Sequence, residues 1–178
     1  QLQKDPTLAE RMNEIESFTN RYIQNPLNSR LLAGGIIEIP VVVNVLYKTS
    51  AENISQAQIQ SQIDVLNEDF KAVNADYNST PSIFQGVRSG DLKITFVLDQ
   101  VVRKSTTKRS WGTNDAMKSS SSGGLNPISP TTKLNMWCCN LSNGILGYAQ
   151  FPGGSSATDG VVIDNNAFGR TGTVTSPY

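Results

Sequence analysis

IIEIPVVVNVLY, residues 36–47, is the stretch that decides the fold. It is mostly β-branched or aromatic and nearly continuous in apolar character, which predicts a central strand covered on both faces of a sheet. Pro40 lacks a backbone donor, so the beginning of the strand is expected at an edge or a bulge. Asn44 interrupts the apolar run, and a buried amide must find hydrogen-bond partners or cost about 1 to 3 kcal/mol.

The clearest helix of the sequence follows in residues 55–74. Its apolar side chains recur at steps of four and three and form one stripe, made of Ile59, Ile63, Leu66, Phe70 and Val73. Burying five such side chains contributes on the order of 10 kcal/mol before chain entropy is subtracted. The helix is therefore expected to pack against the sheet.

Further extended runs predict the other strands, and they lie at 92–98, 134–141, 145–152 and 160–168. Gly147 and Pro152 are typical of an edge strand. Asn143-Gly144 is a strong turn signal, so a hairpin is predicted between the second and third of these runs.

Residues 101–131 are predicted to form a long irregular loop, which in a compact domain is usually functional or mobile. The predicted elements leave nothing to cover the second face of the sheet. A sheet this apolar requires cover on both faces. The sequence therefore indicates an incomplete domain.

The N-terminal part is predicted to be a separate helix and a linker. Apolar side chains recur at helical spacing over residues 5–24, with Asp5 before Pro6 as a start signal. Asn25-Pro26 ends this helix. Residues 27–35 contain two glycines and no periodicity, which predicts an exposed linker open to proteases.

Composition excludes several classes of function. The 178 residues contain no histidine, so a Ser/His/Asp triad or a histidine-ligated metal site within this chain is excluded. Fifteen basic residues balance fifteen acidic ones, which disfavours nucleic acid and anionic membranes as partners. No apolar run approaches the roughly 20 residues that span a bilayer.

The two cysteines, Cys138 and Cys139, are adjacent, which excludes a CxxC motif and a disulfide scaffold. Neighbouring side chains of a strand point to opposite faces. One thiol is therefore expected in the core, with the other facing outward or meeting a cysteine elsewhere. The simpler interpretation is that both are small hydrophobic residues of a strand, since free cysteine is among the most buried residue types.

Several blocks together resemble the pappalysin family of metzincin zinc metallopeptidases. They are IPVVVNVLY, NISQAQIQSQIDVLNEDF, LNMWCCNL, GILGYAQFPGG, DGVVIDNNAFG and GRTGTVTSPY, in the family's order over about residues 36–178. The opening QLQKDPTLAERMNEIESFTNRYI resembles the end of a pappalysin-type prosegment. The resemblance implies a prosegment-like helix and linker in 1–35 and the upper subdomain of a catalytic domain in 36–178.

The fold that this resemblance implies is α+β, with α/β-like character. The family's upper subdomain has a twisted five-stranded mixed sheet, one antiparallel edge strand and a backing helix. The strands then fall at about 37–47, 92–98, 134–141, 145–152 and 160–164, with 55–74 as the backing helix.

The resemblance also implies a function. The edge strand would pair with an extended peptide or protein substrate, which assigns substrate binding to Ile145, Leu146, Gly147, Tyr148, Ala149 and Gln150. A maturation cut is expected at Ser29–Arg30, in the linker. The family enzyme is a secreted or cell-surface endopeptidase that binds zinc, with calcium as a further option.

The sequence departs from the family in one respect that decides the chemistry. Family members continue into H-E-x-x-H-x-x-G-x-x-H, whose histidines bind zinc and whose glutamate is the general base. This sequence stops just before that motif, so no catalytic or metal-ligating residue is assigned and the chain alone is expected to be inactive. The missing half is a candidate partner as a separate chain. The family also often has His where this chain has Asn44.

Two other hypotheses are open. The chain is alternatively a non-catalytic peptide-binding or inhibitory module that kept the metzincin sheet. A β-rich adhesion module unrelated to peptidases is the third, and it predicts a different order of strands.

Overall fold

The computed structural model describes residues 7–24, 31–32, 35–151 and 153–175. The helices are α1 (Leu8–Gln24) and α2 (Gln56–Phe70), and the strands are β1 (Leu31–Leu32), β2 (Ile36–Tyr47), β3 (Ile94–Ser105), β4 (Leu134–Cys139), β5 (Gly147–Ala149) and β6 (Val161–Asp164). Short 3-10 turns lie at 77–79, 82–87, 116–118 and 120–122.

The five longer strands form a mixed sheet in the order β3-β2-β4-β6-β5. The pairs β2–β3, β2–β4 and β4–β6 are parallel, and the edge strand β5 is antiparallel to β6. This confirms the predicted α+β fold with one antiparallel edge strand. The two-residue β1 adds a short antiparallel pairing at the start of β2.

Helix α2 covers one face of the sheet. Ser55 caps it, since its hydroxyl accepts from the Gln58 backbone N–H at 3.1 Å. Ile59 and Ile63 are buried against Val41, Val43 and the other apolar residues on this face. The predicted stripe holds up to Phe70, where the helix ends.

The prediction for Val73 was wrong. Ala72 adopts a positive φ of 58°, which ends the helical path, and Val73 is 67% exposed. In the sequence, the apolar residues keep their helical spacing as far as Val73, but the helix ends at Phe70. Only the backbone conformation reveals that end.

The opposite face of the sheet is covered by residues 106–133, which we call the covering loop. Its Trp111 and Met117 are buried against Leu46, Trp137 and Val162 of the sheet. The predicted lack of a second layer was therefore wrong. A layer without regular secondary structure has no periodicity to reveal it, because its few apolar side chains are far apart in sequence.

Strand β3 is longer than predicted. It was expected to end at residue 98, but it pairs with β2 up to Ser105, across a bulge between Val41 and Val42. Residues 99–105 are largely polar because β3 lies at the edge of the sheet, where a strand need not be apolar.

The predicted hairpin is also wrong, although its turn is present. Asn143 and Gly144 have positive φ angles of 62° and 69°. However, β6 lies between β4 and β5, so the two strands that flank this turn do not pair. The Asn-Gly dipeptide specifies a local turn, but it does not determine which strands pair in the sheet.

Cys138 and Cys139 point to opposite faces, as predicted, but both are fully buried. Cys138 packs on the α2 side and Cys139 under the covering loop, so neither thiol faces outward. The buried Asn44 donates to Asn135 Oδ1 at 3.4 Å. Asn135 in turn exchanges two hydrogen bonds of 2.9 Å with the backbone of Ile128 and so fixes the covering loop to the sheet.

Candidate functional site

The edge strand β5 has one paired side and one open side. It pairs with β6 in the register Gly147↔Ile163, Tyr148↔Val162 and Ala149↔Val161. Asp164 donates to the Leu146 carbonyl at 2.8 Å, so Leu146 and Tyr148 turn their backbone groups toward β6. By alternation, the N–H and C=O groups of Gly147 and Ala149 point away from it. No strand among the described residues pairs with that open side.

The six residues predicted to bind substrate do not form one six-residue strand. Only Gly147, Tyr148 and Ala149 are in strand conformation. Ile145 packs under the covering loop and Leu146 is half-exposed before the strand begins. Gln150 instead holds the loop after β5, since Thr158 donates to its Oε1 at 2.6 Å and its Nε2 donates to the Ser155 carbonyl at 3.0 Å.

Tyr148 fastens the edge strand to the covering loop. Its hydroxyl lies 3.0 Å from both Asp115 Oδ1 and Met117 Sδ. Burial, and secondarily the Asp115 carboxylate, raises the pKa of Tyr148 well above its ordinary value of 10. The phenol is therefore neutral at physiological pH and donates its single proton to the carboxylate.

Lys118 is a buried cation beneath this tyrosine. Its side chain is only 1% exposed, and its Nζ lies 2.9 Å from Asp115 Oδ1 and donates to the Thr158 carbonyl at 2.6 Å. The same ammonium lies 5.2 Å from the centre of the Tyr148 ring and 5.5 Å from that of Trp137. It therefore joins the covering loop, the edge strand and the loop after the edge strand. Lys118, Asp115 and Thr158 also line a cavity of about 540 Å³.

Asp115 adopts an unfavourable backbone conformation in order to make these contacts. Its φ is 59°, in the left-handed region that few residues other than glycine occupy. In that conformation it accepts hydrogen bonds from both Tyr148 and Lys118. Strain of this kind persists only where the surrounding contacts determine the conformation.

Hydrogen bonds to residues at the carboxyl ends of the parallel strands hold the turn that leads into the edge strand. Asp164, at the end of β6, accepts from the Leu141 backbone N–H at 2.7 Å. Trp111 exchanges backbone hydrogen bonds of 2.9 Å with Asn140 and Ser142. The turn into β5 is thus held by hydrogen bonds on both sides.

A buried carboxylate joins two of those strand ends. Glu52 accepts from the backbone N–H groups of Lys48 and Thr49, just after β2. Its second oxygen accepts from Asn140 Nδ2 at 3.2 Å, just after β4. Both carboxylate oxygens of Glu52 therefore accept hydrogen bonds from groups of the same chain, which indicates a structural role.

The N-terminal helix contacts the loop that follows the edge strand. Arg11 of α1 donates from its Nε to the carbonyl of Gly153. The predicted linker cut at Ser29–Arg30 lies outside the described residues. The next described residues, Leu31 and Leu32, pair with Ile37 and Ile36 of β2.

Among the described residues, no group of three or more acidic, cysteine or histidine side chains is arranged to hold a metal ion. The two cysteines are poor ligands, because burial raises the pKa of Cys139 to about 12 and that of Cys138 well above its ordinary value. The residues in the described ranges therefore do not fit a zinc or calcium site. No helix in the described part of the chain is long and apolar enough to cross a membrane.

The sequence analysis missed the group that supports the edge strand. Asp115 and Lys118 lie in a stretch that was predicted to be irregular, at least 30 residues from Tyr148. Nothing in their local pattern distinguishes them from solvated charges. The one available signal was the aromatic residue in an otherwise apolar and small edge strand, since a buried tyrosine requires a partner for its hydroxyl.

Similar proteins of known structure give the most direct evidence about function. Mature mirolysin of Tannerella forsythia, in complex with a cleaved peptide, is 45% identical to this chain, with a TM-score of 0.75. The match covers 80% of this chain and 58% of that one. A structure of mirolysin in complex with a compound gives the same values. No family model and no curated protein matches the chain significantly.

The precursor of that protein matches over more of this chain. A mutant of Tannerella forsythia promirolysin is 41% identical, with a TM-score of 0.80, and the match covers 98% of this chain and 59% of that one. Mirolysin is a metzincin-type metalloprotease, and the mixed sheet of this chain has the metzincin-like α+β fold. The chain spans just under 60% of the length of these structures.

Proposed function

We propose that these 178 residues are the end of the prosegment and the substrate-holding upper subdomain of a secreted or cell-surface zinc-dependent endopeptidase of the pappalysin type. The observation that carries the proposal is the open side of β5, in a fold shared with a protease that has been seen with a cleaved peptide. The chain supplies the strand that holds the substrate and not the groups that attack it.

Substrate binding at this edge would use backbone groups. An extended peptide that runs antiparallel to β5 would exchange hydrogen bonds with Gly147 and Ala149. Both residues are exposed and have small side chains, so a second strand can approach closely. Because the bonds are made to the main chain, this strand holds many sequences in the extended form without distinguishing most of them.

Zinc would be bound elsewhere in the longer protein. The chain has no histidine and its described residues offer no metal cluster, so the ligands and the general base are assigned to residues that follow in the longer protein. Zinc in such enzymes polarises the peptide carbonyl and activates water. Residues 36–178 contribute to that reaction by fixing the peptide in register.

Two observations support the assignment of residues 1–35 to a prosegment. The match to mature mirolysin covers about 142 of the 178 residues, close to the length of 36–178, whereas the match to the precursor covers nearly the whole chain. Arg11 of α1 also binds the Gly153 carbonyl, close to the carboxyl end of β5. A helix in that position would partly cover the carboxyl end of the open edge until the cut at Ser29–Arg30 releases it, so the full chain would bind a peptide there, but more weakly than the cut chain.

Peptide binding by the full 178-residue chain tests the proposal. Ala149→Pro removes an outward N–H and places a ring on the open side, while the bonds of Leu146 and Tyr148 to β6 remain. Ala149→Val is the matched control, because it enlarges the side chain and keeps the N–H. The probe is a blocked ten-residue peptide of alternating threonine and alanine, titrated by calorimetry.

The proposal requires Ala149→Pro to weaken binding of the probe at least about tenfold, as the loss of one hydrogen bond with added steric conflict implies. Ala149→Val should bind within a factor of about three of the unmodified chain, less than one hydrogen bond is worth. Equal affinities of the proline variant and the unmodified chain would refute binding at this edge.

The second candidate is a non-catalytic peptide-binding or inhibitory module. The complete absence of histidine from the sequence favours it, since such a module needs no metal. It uses the same edge, so the two candidates differ only in whether a catalytic half is joined to this chain. The intact mass of the protein isolated from its natural source distinguishes them, because the module requires a mass near 19.3 kDa.

A further inference from the structure

Gln58 of α2 is a buried amide with every hydrogen-bonding position in use. The residue is 1% exposed and lies off the apolar stripe of its helix. Its Nε2 donates to the carbonyls of Asn165 at 3.2 Å and Phe168 at 3.1 Å. Its Oε1 accepts from the backbone N–H of Thr173 at 3.0 Å and from the Thr173 hydroxyl at 3.1 Å.

These four bonds reach residues more than 100 positions away, in the segment 165–175 that directly follows β6. Two neighbours of Gln58 on α2 bind the same segment. Ser61 Oγ accepts from the Arg170 backbone N–H at 3.1 Å, and Gln62 Oε1 accepts from that of Gly169 at 2.8 Å. The segment therefore has a defined path across α2 although it contains no helix or strand.

The segment and α2 approach each other closely at two glycines of the segment. A Cβ atom on Gly172 would lie 2.4 Å from Gln58 Oε1, and one on Gly169 would lie 2.5 Å from Ser61 Oγ. Both glycines also have positive φ angles, 77° and 80°. Close approach and backbone conformation thus require glycine at both positions, which indicates that the path of the segment is specified in detail.

The stability of the folded chain does not by itself require this network of buried hydrogen bonds. A buried polar network stabilises little relative to apolar packing, but it imposes one arrangement, because any other leaves buried groups unpaired. Gln58 connects the helix that backs the sheet to the residues that leave the sheet at Asp164. Its effect is to fix the direction in which the chain continues.

We infer that Gln58 is a positioning residue: it fixes segment 165–175 and, through it, sets the placement of the catalytic residues that follow in the longer protein. This inference rests on the proposed function, since it assigns those residues to the chain beyond 178. The side-chain hydrogen bonds of Gln58 all go to this segment. It acts only through the segment.

The first test measures how firmly segment 165–175 is held in the 178-residue chain. Gln58→Met keeps the length of the side chain and removes all four bonds. Asn67→Leu is the matched control, because Asn67 lies on the same helix and its amide exchanges two bonds, of 2.8 and 2.9 Å, with the backbone of Phe96 on the opposite side.

Amide hydrogen exchange provides the readout. We expect exchange at Gly169, Arg170 and Thr173 to be at least about tenfold faster in Gln58→Met, a factor that corresponds to about 1.4 kcal/mol. In Asn67→Leu these three amides should exchange as in the unmodified chain. Equal exchange in Gln58→Met and the unmodified chain would overturn the inference, whether or not the longer protein is a protease.

A third variant separates positioning from general destabilisation. In Gln58→Glu the introduced carboxyl group can donate only when it is protonated, so exchange in the segment, taken relative to the unmodified chain, should slow as the pH is lowered through its pKa. A ratio that does not vary with pH would contradict the hydrogen-bonding role of the amide.

The second test uses the longer protein. There, Gln58→Met should lower kcat by about tenfold to a hundredfold and leave KM unchanged, because β5 still holds the substrate while the catalytic groups are displaced. Asn67→Leu should leave kcat unchanged. An active protein whose kcat is insensitive to Gln58→Met would refute the inference, whereas a longer protein without peptidase activity would instead refute the proposed function.

Discussion

The Tyr148 hydroxyl of the edge strand lies 3.0 Å from the Asp115 carboxylate of the covering loop. This contact joins the strand proposed to hold a peptide to a layer of the fold that has no regular secondary structure. The position of the open edge therefore depends on contacts with a loop.

Tyr148→Phe should loosen the edge strand. The change removes one hydrogen bond to a carboxylate that keeps its second partner, Lys118, so the free energy of unfolding should fall by about 1 to 2 kcal/mol. Amide exchange in β5 should rise. Tyr47→Phe is the control, because the Tyr47 hydroxyl has no hydrogen bond to another described side chain, and its effect should be close to zero. Similar losses in both variants would contradict the anchoring role of Tyr148.

Lys118→Met should be more damaging. The ammonium is almost fully buried, and its loss leaves the Asp115 carboxylate without its cation and the Thr158 carbonyl without its donor. We expect urea unfolding to show a loss of about 2 to 4 kcal/mol. In Lys133→Met, which breaks the partly exposed pair with Asp99 at 2.6 Å, the loss should be below about 1 kcal/mol. If the two losses are equal, Lys118 does not hold the layers together.

Features of the fold that depend on neighbours along the chain were predictable from the sequence, whereas features that depend on distant contacts were not. The residues of β2 and the first four positions of the α2 stripe were predictable, because their neighbours along the chain form the repeating pattern. The mixed sheet was predicted only through the resemblance to the family, and the observed strand order confirms it.

What the sequence did not reveal depends on contacts between residues 30 to 115 positions apart. Gln58 and Lys118 are polar residues in unremarkable local surroundings, and only their distant partners bury them. The turn at Asn143-Gly144 was predicted, but the insertion of β6 beside β4 was not. No pattern within a window of ten residues contains that information.

The two cysteines report separately on the two faces of the sheet. Both thiols are buried with raised pKa values, so iodoacetamide should modify neither in the folded chain at pH 8. Met117→Ala opens the covering-loop side and should expose Cys139 first, whereas Ile59→Ala opens the helix side and should expose Cys138 first. Tandem mass spectrometry locates the modification, and the same order of labelling in both variants would contradict the two-layer arrangement.

The pairing of Glu68 with Arg170 gives segment 165–175 a dependence on pH. Two hydrogen bonds of 2.6 Å from Arg170 hold the pKa of Glu68 below its ordinary value of 4.5. A carboxyl group with a lowered pKa stabilises the folded state fully above its unfolded pKa, and the contribution is lost as the pH falls through the folded pKa. The segment should therefore loosen only in acid.

Carboxyl titration by NMR checks this. In Arg170→Met the pKa of Glu68 should return toward 4.5. Asp91 is the internal control, because Lys93 lowers its pKa independently and the substitution should leave that value unchanged. A Glu68 pKa of 4.5 in the unmodified chain would show that the ion pair does not persist in solution.

Backbone amide exchange of β5 with and without a bound peptide tests the central claim most directly. With the blocked threonine–alanine decapeptide at saturation, the outward amides of Gly147 and Ala149 should gain protection, while that of Tyr148, already bonded to β6, should change little. Unchanged exchange at Gly147 and Ala149, with new protection along β3 instead, would place the peptide at the wrong edge of the sheet and contradict the account.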